Sequence, residues 1–83
     1  MARPTNTSIR IDIHGLTVDE ALVKVRAEIT KAPSAVEKIV VIHGCNRGTA
    51  LKEAIRWHLH SPRIQEIAPS FFNDGETVIW MRK

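Results

Sequence analysis

An alternation of apolar and polar residues near the N-terminus constrains the fold more than any other feature of this chain. Ile9, Ile11 and Ile13 alternate with polar residues, which is the pattern of a strand with one buried face. Thr17 and Glu20 follow at the spacing of a capping box, and an apolar stripe at helical period predicts a helix over residues 18–31. The chain therefore begins with a strand that leads within a few residues into an amphipathic helix.

The remaining elements complete a single sheet with two helices. Residues 38–43 are apolar on both faces, which is typical of a central and often parallel strand. A second helix is predicted over about residues 50–60, a short strand over 64–68 and a last strand over 77–81. Strand–helix–strand connections are right-handed in nearly all proteins, so both helices should cover the same face of the sheet. We predict an α/β fold, a two-layer α+β sandwich of β-α-β-α-β-β order with a mixed four-stranded sheet.

Length and composition limit the organisation and the partners of the protein. The 83 residues suffice for one domain, predicted over residues 8–83 after a flexible N-terminal segment, 1–7. Long apolar runs are absent and the single cysteine cannot form an internal disulfide, so we expect no membrane partner and a cytoplasmic location. The net charge of +3 permits RNA or DNA as a partner without demanding either. The oligomeric state stays open, because the last strand could lie at an exposed sheet edge and pair with another chain.

Polar residues follow both of the first two strands, which should end at the same edge of the sheet. Ligands of open α/β sheets bind outside the carboxyl ends of the strands, where Asp12, His14 and His43 are expected. Asp12 and His14 share one strand face, so the carboxylate can accept an imidazole N–H and orient His14 as a general base. The alternative is a surface Asp–His pair without a function.

The loop over residues 43–48 leads directly into the second predicted helix. Free amides at a helix start form an anion site, Gly44 and Gly48 allow close backbone approach, and Arg47 adds a positive charge. Lys52 and Arg56 follow on one side of that helix, and Arg10 shares the strand face of Asp12. These residues could form a phosphate-binding strip, although an ordinary βα loop beside a solvated surface would show the same pattern.

Other candidates are weaker. Cys45 lies near a helix start and two histidines, but no nucleophile motif surrounds it. Asp12, His14 and His43 do not have the spacing of a known metal motif, so no cofactor is predicted, with a divalent metal such as Mg²⁺ left open. We expect the aromatic side chains to pack in the core or at its rim, the alternative being that they stack on unpaired bases. These aromatic residues are Trp57, Phe71, Phe72 and Trp80.

The motifs at the two strand ends resemble those of the Smr (small MutS-related) domain. Residues 11–16, IDIHGL, are similar to the family's LDLHG, and residues 41–44, VIHG, are similar to the start of its His-Gly-x-Gly element. Asn46 stands where the common motif has its second glycine, and the next glycine is Gly48. The resemblance runs from about Ile9 to the C-terminus and contains no mismatch-repair ATPase region, which suggests a free-standing Smr protein.

The resemblance implies a fold similar to the C-terminal domain of translation initiation factor 3. It also implies nucleic-acid binding and often endonuclease activity, with branched or unpaired DNA, or mRNA on stalled ribosomes, as targets. Asp12, His14 and His43 would be the catalytic residues. The expected nucleic-acid-binding residues are Arg10, Gly15, Gly44, Asn46, Arg47, Gly48, Thr49, Lys52 and Arg56. The alternative is a module that binds nucleic acid or the ribosome without catalysis.

Overall fold

The secondary structure follows the predicted order. The structure, a computed structural model, describes residues 8–44, 50–71 and 73–82. The predicted flexible segment 1–7, and the loop candidates at positions 45–49, lie outside the described residues. The elements are β1 (Ser8–Asp12), α1 (Val18–Lys31), β2 (Lys38–Ile42), α2 (Ala50–His58), β3 (Ile64–Pro69) and β4 (Glu76–Met81).

The four strands form one mixed sheet in the order β1-β2-β4-β3. β1 and β2 are parallel, with Asp12 paired with Ile42 at their carboxyl ends, as predicted. β4 lies between β2 and β3 and is antiparallel to both. The last strand is therefore an interior strand, and the expectation that it could lie at an exposed edge is wrong. In the described sheet the edges are β1 and β3.

Both helices cover the same face of the sheet, which confirms the predicted two-layer sandwich. Ile11 of β1, Ile39 of β2 and Ile79 of β4 are buried with Val25 of α1 and Ile55 of α2 in one core. The opposite face carries no helix in the described ranges, and we call it the open face. Its residues, by strand register, include Arg10, Asp12, Lys38, Val40, Ala68, Glu76, Val78 and Trp80.

Local sequence signals set the limits of the helices. Thr17 caps α1 through its side chain at 3.1 Å from the Glu20 amide, and the Glu20 carboxylate returns to the Thr17 amide at 3.0 Å. α2 ends at His58, two residues earlier than predicted, and Pro62 disfavours helical geometry at Ser61, so the helix does not resume. Neither helix is long and apolar enough to cross a membrane, and this holds for the described part of the chain.

Arg63 joins the start of β3 to the end of α1. Its guanidinium Nη1 donates to the carbonyl oxygens of Ile29 at 2.6 Å and Thr30 at 3.1 Å. These carbonyls lie in the last turn of the helix, where no further amide can satisfy them, and a positive charge is favoured there. Arg63 therefore stabilises the fold and does not belong to the basic surface near the predicted site.

Candidate functional site

Asp12 and His14 form a hydrogen-bonded pair where β1 ends. The Asp12 Oδ1 lies 2.5 Å from the ring Nδ1 of His14 and 3.1 Å from the His14 backbone nitrogen. Both side chains are exposed, the imidazole more so than the carboxylate. Ile13, between them in sequence, is completely buried under the helices. The strand alternation thus places the pair on the side away from the core, as its parity predicted.

The carboxylate of this pair is held in its charged form. The hydrogen bond from the His14 side chain, followed by the one from the His14 amide, lowers the pKa of Asp12 below its ordinary value. An ionised carboxylate can only accept, so Nδ1 of His14 carries the hydrogen and donates it. In the neutral ring, Nε2 then has the lone pair, which is the form that a general base requires. The Nζ of Lys24 in α1 donates to the Asp12 carbonyl oxygen at 3.2 Å and adds a positive charge nearby.

His43 has a different environment from His14. Its side chain is buried, with Nδ1 at 2.9 Å from the Gly44 carbonyl oxygen and Nε2 at 2.8 Å from the Thr77 hydroxyl. The carbonyl can only accept, so Nδ1 donates to it and Nε2 of the neutral ring accepts from Thr77. Both ring nitrogens are thus engaged within the protein. This arrangement favours a role in holding the backbone at Gly44 over the direct catalytic role expected from the sequence.

Gly44 lies between the two histidines and the start of β4. Its φ is +80°, and a Cβ built on it would lie 3.8 Å from the Cβ of His14. The carbonyl oxygen of Gly75 accepts from the amides of His43 at 2.9 Å and Gly44 at 3.0 Å. Gly75 itself approaches so closely that an added Cβ would lie 3.3 Å from the Gly44 Cα. The backbone of Gly44 is therefore fixed against both β1 and β4.

A cleft of about 310 Å³ opens on the helix side of this edge. His43 and Gly44 line it together with the first residues of both helices, including Thr17 of α1 and Lys52 of α2. Gly15, with a φ of +83°, also lines it. The start of α2 presents amide hydrogens and the positive end of the helix dipole, and Lys52 adds a cation, so this side of the cleft suits an anion such as a phosphate. At the start of α1 the capping box already engages the amides of Thr17 and Glu20.

The structure divides the predicted basic residues between different settings. Lys52 reaches the cleft, whereas Arg56 is half-buried on α2, with an Nε that has no hydrogen-bond partner among the described residues. Arg10 lies on the open face and pairs with the Glu76 carboxylate at 2.8 Å, which neutralises part of its charge. The remaining predicted residues, Asn46, Arg47, Gly48 and Thr49, lie outside the described residues.

Two residues of the site were missed by sequence reasoning, and strand parity could have found one of them. Thr77 is fully buried and alternates with Ile79 in β4, so its hydroxyl had to find a partner under the helices. Gly75 follows an Asn-Asp pair that predicts a turn, yet its contact with Gly44 depends on the sheet order.

No group of three or more metal-binding side chains occurs among the residues that the structure describes.

The fold and the site define a two-layer α+β domain with a polar site at the carboxyl ends of its parallel strands. The family model of the Smr domain matches residues 11–82, so the chain belongs to the Smr domain family. Smr domains are known as nucleic-acid-binding, nuclease-type domains.

A solved structure supports the same assignment. The chain is similar to the Smr domain of Thermus thermophilus MutS2, with 30% sequence identity and a TM-score of 0.81 over 90% of this chain and 99% of that domain. A comparison with curated protein sequences found no match.

Proposed function

We propose that this protein binds nucleic acid and cleaves phosphodiester bonds in RNA or structured DNA. The observation that carries the proposal is the hydrogen bond between His14 and an ionised Asp12 on an exposed edge, beside a cleft suited to phosphate. Family membership supplies the class of partner, and the Asp–His pair supplies a base.

On RNA, His14 acts as the general base through Nε2. It accepts the proton of a 2′-hydroxyl, and the resulting 2′-oxygen attacks the adjacent phosphorus. The bond from phosphorus to the 5′-oxygen breaks, leaving a 2′,3′-cyclic phosphate, and the 5′-oxygen takes a proton from water. Asp12 keeps the ring oriented and stabilises the imidazolium that forms. On DNA, which lacks the 2′-hydroxyl, His14 must instead activate a water molecule.

The phosphate is held next to Gly44, which lines the cleft and lies so near His14 that a Cβ built on it would be 3.8 Å from the His14 Cβ. Lys52 and the amides at the start of α2 offset the negative charge that develops on the phosphate oxygens. Asn46, Arg47, Gly48 and Thr49 remain predicted phosphate contacts. Arg10 and Arg56 remain predicted contacts of the flanking backbone, and a divalent metal such as Mg²⁺ remains an open requirement.

His43 acts as a positioning residue in this proposal. Its Nδ1–H holds the Gly44 carbonyl, and Thr77 fixes the ring from the other side. Because both ring nitrogens of His43 are engaged inside the protein, the described site offers His14 as its imidazole for catalysis and no second one to act as an acid. This favours a second candidate function, a cytoplasmic module that binds nucleic acid or the ribosome without cutting.

The two functions are separated by cleavage and binding assays on matched variants. End-labelled RNA and DNA, in single-stranded, duplex and branched forms, are incubated with each protein in Mg²⁺ or EDTA. The proteins are the wild type, His14→Ala, Asp12→Asn and the control His60→Ala, which changes an exposed histidine beyond the end of α2. Loss of a general base should lower cleavage by about 100- to 10,000-fold in His14→Ala without changing affinity. His60→Ala should cleave like the wild type. Wild-type protein that binds these substrates without cutting any of them would establish the binding module.

A further inference from the structure

A groove on the open face is lined by aromatic and apolar side chains. Its volume is about 540 Å³, and its walls include Phe71, Trp80, Val78, Pro69 and Lys38. It lies over β3, β4 and the chain that follows β3, on the side of the sheet away from both helices. It is therefore separate from the cleft at the helix starts.

The two aromatic side chains are more exposed than core or rim packing would leave them. Phe71 is 95% exposed, Trp57 is also mostly exposed and Trp80 is 39% exposed, so the expectation that the aromatic residues pack in the core or at its rim is wrong for Phe71 and Trp57 and only partly met by Trp80. Trp57, on α2, is 69% exposed and lies on the other layer. Phe72 lies outside the described residues. Exposed aromatic rings gathered in one groove mark a surface that contacts a partner.

The groove and the Asp12–His14 pair lie on the same face of the sheet. Register partners cross the sheet in the order Arg10, Val40, Val78 and Ala68. Ala68 lines the groove, and Arg10 lies two residues before Asp12 on the same strand face. With about 4.8 Å between neighbouring strands, this row spans about 14 Å, a length that a few nucleotides cover.

The charges on the open face indicate how a strand would be held. The Nζ of Lys38 lies 5.3 Å from the centroid of the Trp80 ring, so an aromatic surface and a cation are offered together. Glu76 pairs with Arg10, and Glu66 is the register partner of Trp80, so acids offset much of the positive charge. Attraction to phosphates is therefore weak here, and stacking of bases on rings must supply most of the affinity.

We infer that the open face binds an unpaired nucleic-acid strand, with bases stacked on Phe71 and Trp80 and the strand running towards the Asp12–His14 pair. The inference rests on the proposed function for the direction of the strand. A duplex keeps its bases stacked inside and cannot offer their faces to the rings, so the surface selects single-stranded regions of RNA or DNA.

The test uses tryptophan fluorescence, since the protein has two tryptophans, one in each layer. In His14→Ala/Trp57→Phe, the fluorescence comes from Trp80 alone, and the nucleic-acid strand stays intact because the proposed general base, His14, has been removed. Titration with single-stranded RNA and DNA octamers should quench this signal, and the matching duplex should not. The same titration of His14→Ala/Trp80→Phe, with Trp57 as the reporter, should give little quenching.

Binding of the octamers is then compared by fluorescence anisotropy in the His14→Ala background. Phe71→Ala cannot disturb the core because the side chain is almost fully exposed, and it should weaken binding by about 5- to 150-fold, as expected for the loss of one stacked base. Trp57→Ala, the matched control on α2, should stay within about twofold of the parent. Because Phe71 carries no charge, Phe71→Ala should leave the slope of log K against log[salt] at the value of its parent while the affinity falls.

Each result decides one of the two proposals. The open-face inference would be overturned by any one of three results: unchanged affinity in Phe71→Ala, no quenching of Trp80 fluorescence, or equal affinity for the duplex. Such a result would point to a protein partner for the groove. If His14→Ala loses cleavage while Phe71 and Trp80 prove irrelevant, the proposed nuclease stands without this surface. If Trp80 is quenched and Phe71→Ala binds weakly while the wild type cuts nothing, the surface stands and the nuclease falls.

Discussion

The substitution Thr77→Val tests whether the buried contact between Thr77 and His43 supports the site. Valine has nearly the same volume as threonine, so no cavity forms, but the Nε2 of His43 loses its partner at 2.8 Å while the ring stays buried. A buried polar atom left without a hydrogen bond costs about 1–3 kcal/mol. In a domain of this size, each kcal/mol lowers Tm by about 4–8 °C, so Tm should fall by about 4 °C at least and by about 24 °C at most.

Thermal and urea unfolding, followed by circular dichroism, measure this loss. Thr77→Ser keeps the hydroxyl but loses a buried methyl group, which costs about 0.5–1.5 kcal/mol. Thr30→Val, at an exposed position of α1, is the matched control and should change the free energy of unfolding by less than about 0.5 kcal/mol. A Thr77→Val protein as stable as the wild type would refute the argument that His43 depends on this hydroxyl.

Two further predictions concern the exposed part of the site. Gly44→Ala should lower the free energy of unfolding in urea by about 1–2 kcal/mol because the φ of Gly44 is +80°. Gly15→Ala, with a φ of +83° and no atom near its added Cβ, should cost about the same. A far larger loss at Gly44 would mean that the approach of the added Cβ to His14 matters more than the backbone conformation. In His14→Ala the pKa of Asp12, followed by the carboxyl carbon shift in NMR, should rise towards its ordinary value, and an unmoved midpoint would contradict the assigned hydrogen bond. Because the folded pKa lies below the unfolded one, the pair stabilises the wild type above about pH 4 and loses this effect as the pH falls through the folded pKa.

Most of the fold could be predicted because short-range signals agree with the long-range packing. The capping box at Thr17 and the proline at position 33 limit α1 to the residues predicted. The position of β4 could not be predicted in the same way. An alternating apolar strand fits an edge or an interior position equally well, and pairing with both β2 and β3 is decided by packing between residues far apart in sequence.

The site was predictable to a smaller extent. Parity correctly placed Asp12 and His14 on one exposed face of β1. The same rule, applied to β2, predicts that His43 lies with Ile39 and Val41 on the buried face. The position of His43 at the end of the strand instead predicts a place at the polar edge shared with β1. The local sequence does not predict the exposure of Phe71, because two adjacent aromatic residues in a connecting segment are equally typical of side chains that pack in the core.

β1 carries the Asp12–His14 pair and has one hydrogen-bonded neighbour in the described sheet, whereas β2 and β4 each have two. A strand held by a single ladder needs fewer backbone hydrogen bonds broken to detach, so β1 should open at a lower free energy than β2 or β4. The cleavage proposed above would then depend on local opening of β1 as well as on the global stability of the core. Mild denaturant should therefore lower this cleavage while the backbone amides of β2 and β4 are still protected from hydrogen exchange.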